Sequence, residues 1–249
     1  MASKSETGHT KNVTNFKSLN VYLDSLGVKY NPSKVSIQLP QLQAQYTAAD
    51  QSLTAIQDAL PAFTDAVDDQ EAAFEPLDKL VTRVVRAYKA CLENPAEAET
   101  VISLQKKING KGKKADPKKE PEEGENDPIS TSQLSYDNRQ ANFQLLVKTI
   151  GANSLYQPNE DELKVTTLQA YANDLKKATE AVDIVAAPII NGRIARNTLL
   201  YHVETGLVPA TINAVKNYII SVYGAGSPQI KHINTLKFKE IKSGKRKKK

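Results

Sequence analysis

Apolar positions in the first third of the chain fall on a 3.5-residue repeat. Steps of four and three from Val35 reach Leu39, Leu42, Tyr46, Ala49, Leu53, Ile56, Leu60, Phe63, Val67, Gln70 and Phe74, and only Gln70 is polar. The positions between are mainly Gln, Asp, Thr and Ser. A seam sustained this long predicts an amphipathic helix that must pack against another helix. At 1.5 Å per residue, about 35–40 residues span about 50–60 Å. Pro61 lies inside it and is expected to kink or break it, because proline lacks the amide N–H and crowds the preceding turn.

A less regular stripe, Val165, Leu168, Leu175, Val182, Val185 and Ile189, predicts a second long helix from about Asn159 to Glu204. A kink or break is expected there at Pro188 and Gly192. Short helices are expected before the long ones, near Phe16–Leu26 and Tyr136–Ile150. A further helix should follow each: one from Pro76 through Tyr88, the other from Pro209 to a stop at Gly224. Shorter segments at about Ala96–Ile108 and Pro228–Ile241 complete the series. Leu236, Phe238 and Ile241 suit a short extended stretch equally well.

The series recurs. Residues 30–63 align without a gap on residues 156–189: Tyr30 on Tyr156, Pro32 on Pro158, Leu42-Gln43-Ala44 on Leu168-Gln169-Ala170 and Ala55 on Ala181. Upstream, Asn15-Phe16 and Leu19 match Asn142-Phe143 and Leu146. Downstream, Leu80, Val84 and Tyr88 match Val215, Ile219 and Tyr223. The expectation is an all-α helical bundle of two tandem repeats, residues 13–109 and 131–241, packed about a pseudo-twofold axis or swapped between two chains. Tyr30, Tyr156, Tyr88 and Tyr223 recur at equivalent places and are read as structural corners. Residues 110–130, rich in Lys, Glu, Pro and Gly, are expected to be a flexible charged linker. Residues 1–12 are expected to be a disordered arm and residues 242–249 a disordered basic tail.

Charge sharpens the picture. The net charge of the 249 residues is +5, yet Lys242, Lys245, Arg246, Lys247, Lys248 and Lys249 supply six positive charges at the end, leaving −1 for the rest. The tail is thus the candidate polyanion-binding element, able to neutralise phosphates without reading sequence. Arg193 and Arg196, one helical turn apart, form a candidate grip for a phosphate or carboxylate.

Other chemistry is sparse. One cysteine, Cys91, excludes an intramolecular disulfide framework. His9, His202 and His232 lack ligand-spaced partners, so no metal and no cofactor are expected. Asp68, Asp69 and Glu71 read as a solvated face. Gly110-Lys-Gly-Lys-Lys lacks the strand and the Gly-Lys-Ser/Thr ending of a phosphate-cradling loop. No nucleophile signature occurs. The N-terminal residues carry no apolar signal core, and no stretch nears the ~18 apolar residues of a membrane span, so a cytoplasmic location is expected.

Thr82-Arg83-Val84-Val85, Ser135-Tyr136-Asp137, Leu163-Lys164-Val165-Thr166-Thr167-Leu168 and Ser227-Pro228-Gln229 resemble an uncharacterised family of duplicated, all-helical proteins from flavobacteria and relatives. The resemblance runs from about Asn15 to Phe238. It implies an α-helical fold and a bacterial source, and it carries over no functional residue. The expected role is a non-enzymatic structural or interaction protein with a protein partner or a second copy. The alternatives are a nucleic-acid-associated protein acting through the tail and, with less support, a membrane-active helical protein.

Overall fold

A computed structural model describes residues 8–110 and 134–241. Among the described residues there are eight α-helices and no strand, so the fold is an all-α helical bundle. The helices are α1 (His9–Ser25), α2 (Leu39–Phe74), α3 (Leu77–Cys91), α4 (Glu99–Ile108), α5 (Tyr136–Gly151), α6 (Val165–Tyr201), α7 (Ile212–Tyr223) and α8 (Pro228–Thr235). All but the first residue of the expected linker 110–130, and the whole tail 242–249, lie outside the described residues.

The two long helices run unbroken through their prolines: α2 is 36 residues long and contains Pro61, and α6 is 37 residues long and contains Pro188. Each proline removes one backbone hydrogen bond. Both prolines are exposed, as are Gln57 and Ile184, whose carbonyls lose that bond, so solvent can take its place.

Both long helices begin later than the apolar pattern indicates. Val35–Ile37 and Asp161–Leu163 form 3-10 turns ahead of α2 and α6. The cause is the same in each case. The Tyr30 hydroxyl donates to the Ile37 carbonyl at 2.6 Å, and the Tyr156 hydroxyl donates to the Leu163 carbonyl at 2.9 Å. The residues after those carbonyls, Gln38 and Lys164, are extended, and the helix starts beyond them. Val35, the first position of the stripe, is therefore 61% exposed.

Other ends follow local rules. The Ser135 and Ser227 side chains accept from the amides of Asn138 and Ile230, both at 3.3 Å, capping α5 and α8. Gly224 terminates α7 with φ of 87°, a conformation that disfavours side chains. Pro209 does not open α7; it sits in a π-helical turn, Leu207–Thr211, that leads into it. After α8 Leu236 is extended, and residues 237–241 carry no regular secondary structure.

The chain forms two compact units: Met1–Pro61 with Ala186–Lys249, and Ala62–Val185. In the first, α1 (Phe16, Leu19, Leu23), α2 (Leu42, Ala49), α6 (Leu200), α7 (Ile212, Val215, Ile219) and α8 (Ile230, Ile233) share one core. In the second, Phe74 of α2 joins α3 (Leu77, Val81, Val84), α4 (Val101, Leu104, Ile108), α5 (Phe143, Leu146, Ile150) and α6 (Leu168, Leu175). Each unit takes the beginning of one sequence copy and the end of the other. The units of the structure thus cut across the division into residues 13–109 and 131–241.

In the second unit α2 and α6 run antiparallel. Gln70 Nε2 donates to Thr179 Oγ1 at 3.3 Å, and the Tyr171 hydroxyl donates to the Ala73 carbonyl at 2.7 Å. Gln70, the polar interruption of the stripe, is buried, and this contact offsets part of its desolvation. In the first unit the same helices approach closely at Gly192. A Cβ there would lie 2.8 Å from Ile56 Cγ1.

Candidate functional site

α1 begins at His9, inside the stretch expected to be a disordered arm. The helix is tied down by polar side chains on its buried face. Asn12 follows the same helical phase as Phe16, Leu19 and Leu23 and is 2% exposed. Its Nδ2 donates to the Lys239 carbonyl at 2.7 Å, and its Oδ1 accepts from the Lys239 amide at 3.1 Å. The side-chain amide thus satisfies both backbone groups of Lys239, in the segment after α8. Asn15 Nδ2 adds a bond to the Lys237 carbonyl at 2.7 Å.

Tyr201, the last residue of α6, is the hub of this clamp. Its oxygen accepts from Asn12 Nδ2 at 3.0 Å. His9 Nδ1 lies 2.9 Å away, placed to accept the Tyr201 hydroxyl proton when the ring is neutral. That arrangement requires an unprotonated Nδ1 on His9 and leaves the ring proton on Nε2. Burial, followed by the nearby Arg196 charge, holds the His9 pKa below its ordinary value, consistent with a neutral ring. Burial is also the largest influence on Tyr201, whose pKa is raised.

Beside the clamp lies a cleft of about 530 Å³, lined by Gly8, His9, Thr10, Lys11 and Thr14 of the α1 region, Leu53, Ile56 and Gln57 of α2, and Arg196 of α6. No described aspartate or glutamate lines it. Arg196 is half-buried, and its Nε and Nη2 donate to Asn197 Oδ1 at 3.1 and 2.9 Å. Burial is the largest influence and lowers its pKa; Tyr201 raises it, and the nearby Arg193 charge lowers it. Arg193 is exposed and does not line the cleft. Of the two arginines of the sequence-derived grip, the structure therefore brings only Arg196 to a concave site. The basic residues Lys242, Lys245, Arg246, Lys247, Lys248 and Lys249 lie outside the described residues.

The second unit holds a cleft of opposite character, about 630 Å³, lined in part by Asp68, Glu71, Glu75, Asp78, Tyr136 and Arg139. Arg139 Nη2 pairs with Asp78 at 2.7 Å, its Nε donates to the Ile108 carbonyl at 3.2 Å, and its guanidinium stands over the Phe74 ring. These contacts join α2, α3, α4 and α5. The arginine therefore has a complete structural task.

The remaining candidates are placed as follows. His232 packs on Tyr22 with ring centroids 4.4 Å apart. His202 contacts Thr205 Oγ1 at 3.0 Å. Cys91 is a partly buried thiol against the second core. Among the described residues, no three His, Cys, Asp or Glu side chains are grouped to hold a metal ion, and no helix is long and apolar enough to cross a membrane. No family model, curated protein or solved structure matches the chain.

The sequence reading missed the clamp. Its available signal was Asn12 and Asn15, polar residues among the apolar positions of a short helix. Their partners lie 189 to 227 residues away, and no local pattern points to them.

Proposed function

We propose that the chain is a non-enzymatic interaction protein, a helical scaffold that holds a protein partner. One observation carries the reading. On α6, Ala187, Ile190 and Ile194 recur at helical spacing and are exposed, Ile190 by 52% and Ile194 by 60%. Apolar residues at this spacing on a helix suit burial against another protein surface. In this reading the two sequence copies reflect a duplication, the α2 stripe is a coiled-coil type of seam, and the protein is bacterial and cytoplasmic.

The test is affinity purification of the full chain from its native cells, beside an Ile190→Glu, Ile194→Glu variant with an unchanged thermal midpoint. The expected result is a partner recovered in stoichiometric amount by the first and lost from the second. The same background proteins from both would overturn the reading.

A second reading rests on the tail, where six of the last eight residues are basic. It makes the protein a nucleic-acid associate that binds phosphates without sequence preference. Its affinity should fall steeply with salt and collapse on removal of residues 242–249. Equal binding by the shortened chain would reject it.

A further inference from the structure

We propose that the cleft of the first unit binds a small organic oxyanion, with its phosphate or carboxylate head on the Arg196 guanidinium and its apolar body against Leu53 and Ile56.

The argument begins with Arg196. A half-buried guanidinium loses part of its hydration, and such a charge is normally matched by a carboxylate. Here Arg196 meets a neutral amide oxygen, that of Asn197, and lies near a second cation, Arg193. Asn197 occupies the Nε–Nη2 edge of the fork. The other edge, formed by the two terminal nitrogens, has the geometry that receives an oxyanion through paired hydrogen bonds.

The rest of the lining fits the same ligand. With the Tyr201 hydroxyl donating to Nδ1, 2.9 Å away, the neutral His9 ring presents Nε2–H as a donor. Gln57 adds a side-chain amide, and Leu53 and Ile56 supply an apolar wall. The volume of about 530 Å³ falls within the range of small-molecule sites, which is about 300–1,000 Å³. The charge brought to the cleft by Arg196 favours an anion over a cation.

The test is titration of the full chain with inorganic phosphate, phenyl phosphate and benzoate, followed by calorimetry and amide chemical shifts. The two aromatic probes share a body and differ in head group, so together they separate a phosphate from a carboxylate ligand. One-to-one binding of at least one aromatic probe, tighter than inorganic phosphate and with shifts at His9, Gln57 and Arg196, is expected. Arg196→Gln should weaken that binding about tenfold or more, and Arg196→Lys should restore only part of it, because lysine keeps the charge and loses the fork. Removal of residues 242–249 should leave it unchanged. The proposal is overturned by no binding at millimolar probe, by equal binding to the folded Arg196→Gln chain, or by loss of binding with the tail.

Discussion

At the scale of single residues, hydroxyls and amides decide where helices start and what holds them. Tyr30 and Tyr156 each satisfy a carbonyl seven residues onward, those of Ile37 and Leu163. Both residues carrying these carbonyls are buried, so removing the hydroxyl strands an acceptor. Tyr30→Phe and Tyr156→Phe should each cost about 1–3 kcal/mol, read as a lower urea midpoint with unchanged slope. The corner role of these tyrosines was legible in the sequence, because each precedes an equivalent proline in two aligned copies. The role of His9 was not, since its partner Tyr201 is distant in the chain. His9 lies beside Tyr201 and near the Arg196 charge, both of α6. Its pKa lies below 6.5 in the folded protein, so the unfolded chain binds its proton first as pH falls. The stability associated with neutral His9 is therefore full above about pH 6.5 and is lost as pH falls from there through the lower folded value. His9→Gln should flatten that part of a plot of thermal midpoint against pH, leaving the carboxylate-driven loss at lower pH in place.

At the scale of elements, α2 and α6 depend on positions where the backbone comes close or a distant segment is held. Gly192 is such a position, because a Cβ would press on Ile56 in the first unit. Helix propensity alone favours alanine over glycine by about 1 kcal/mol. A β-branched residue adds the crowding without that gain, so Gly192→Val should destabilise by about 1–3 kcal/mol. Adding Ile56→Ala should cost less in the Gly192→Val background than alone, a coupling that a double-mutant cycle of urea midpoints would show. The clamp makes a second case. Tyr201→Phe removes the hydroxyl shared by Asn12 and His9, while Asn12 also holds Lys239. Amides at residues 237–241 should then exchange hydrogen faster than those of α1, which keeps its apolar contacts through Phe16 and Leu19. The apolar period showed that these helices exist, because it reports which face is buried. It gave their starts less well, because Tyr30 and Tyr156 end the 3-10 turns by side-chain bonds that periodicity does not encode. Pro61 and Pro188 do not end their helices, since both occupy exposed faces.

At the scale of the whole molecule, each core draws on both halves of the sequence. Phe16, Leu19 and Leu42 share a core with Ile212, Val215 and Ile230, while Leu77, Val84 and Leu104 share one with Phe143, Leu146 and Leu168. The alignment of residues 30–63 with 156–189 shows that the chain is repetitive, but a repeat in sequence does not specify which segments share a core. A fragment of residues 1–120 would contain only the first chain segment of each core, leaving Phe16 and Leu77 without the partners named above. A fragment of residues 121–249 would hold only the complementary segments. Neither fragment can bury its apolar stripes as the full chain does, so each alone should show a weak, broad thermal transition and bind a hydrophobic dye. Mixed in equal amounts, the two should associate and recover a cooperative transition, with a midpoint that rises with concentration because folding has become bimolecular. Circular dichroism and sedimentation of the separate and mixed fragments provide the measurement. Two fragments that each melt cooperatively as monomers and ignore one another would contradict the shared cores.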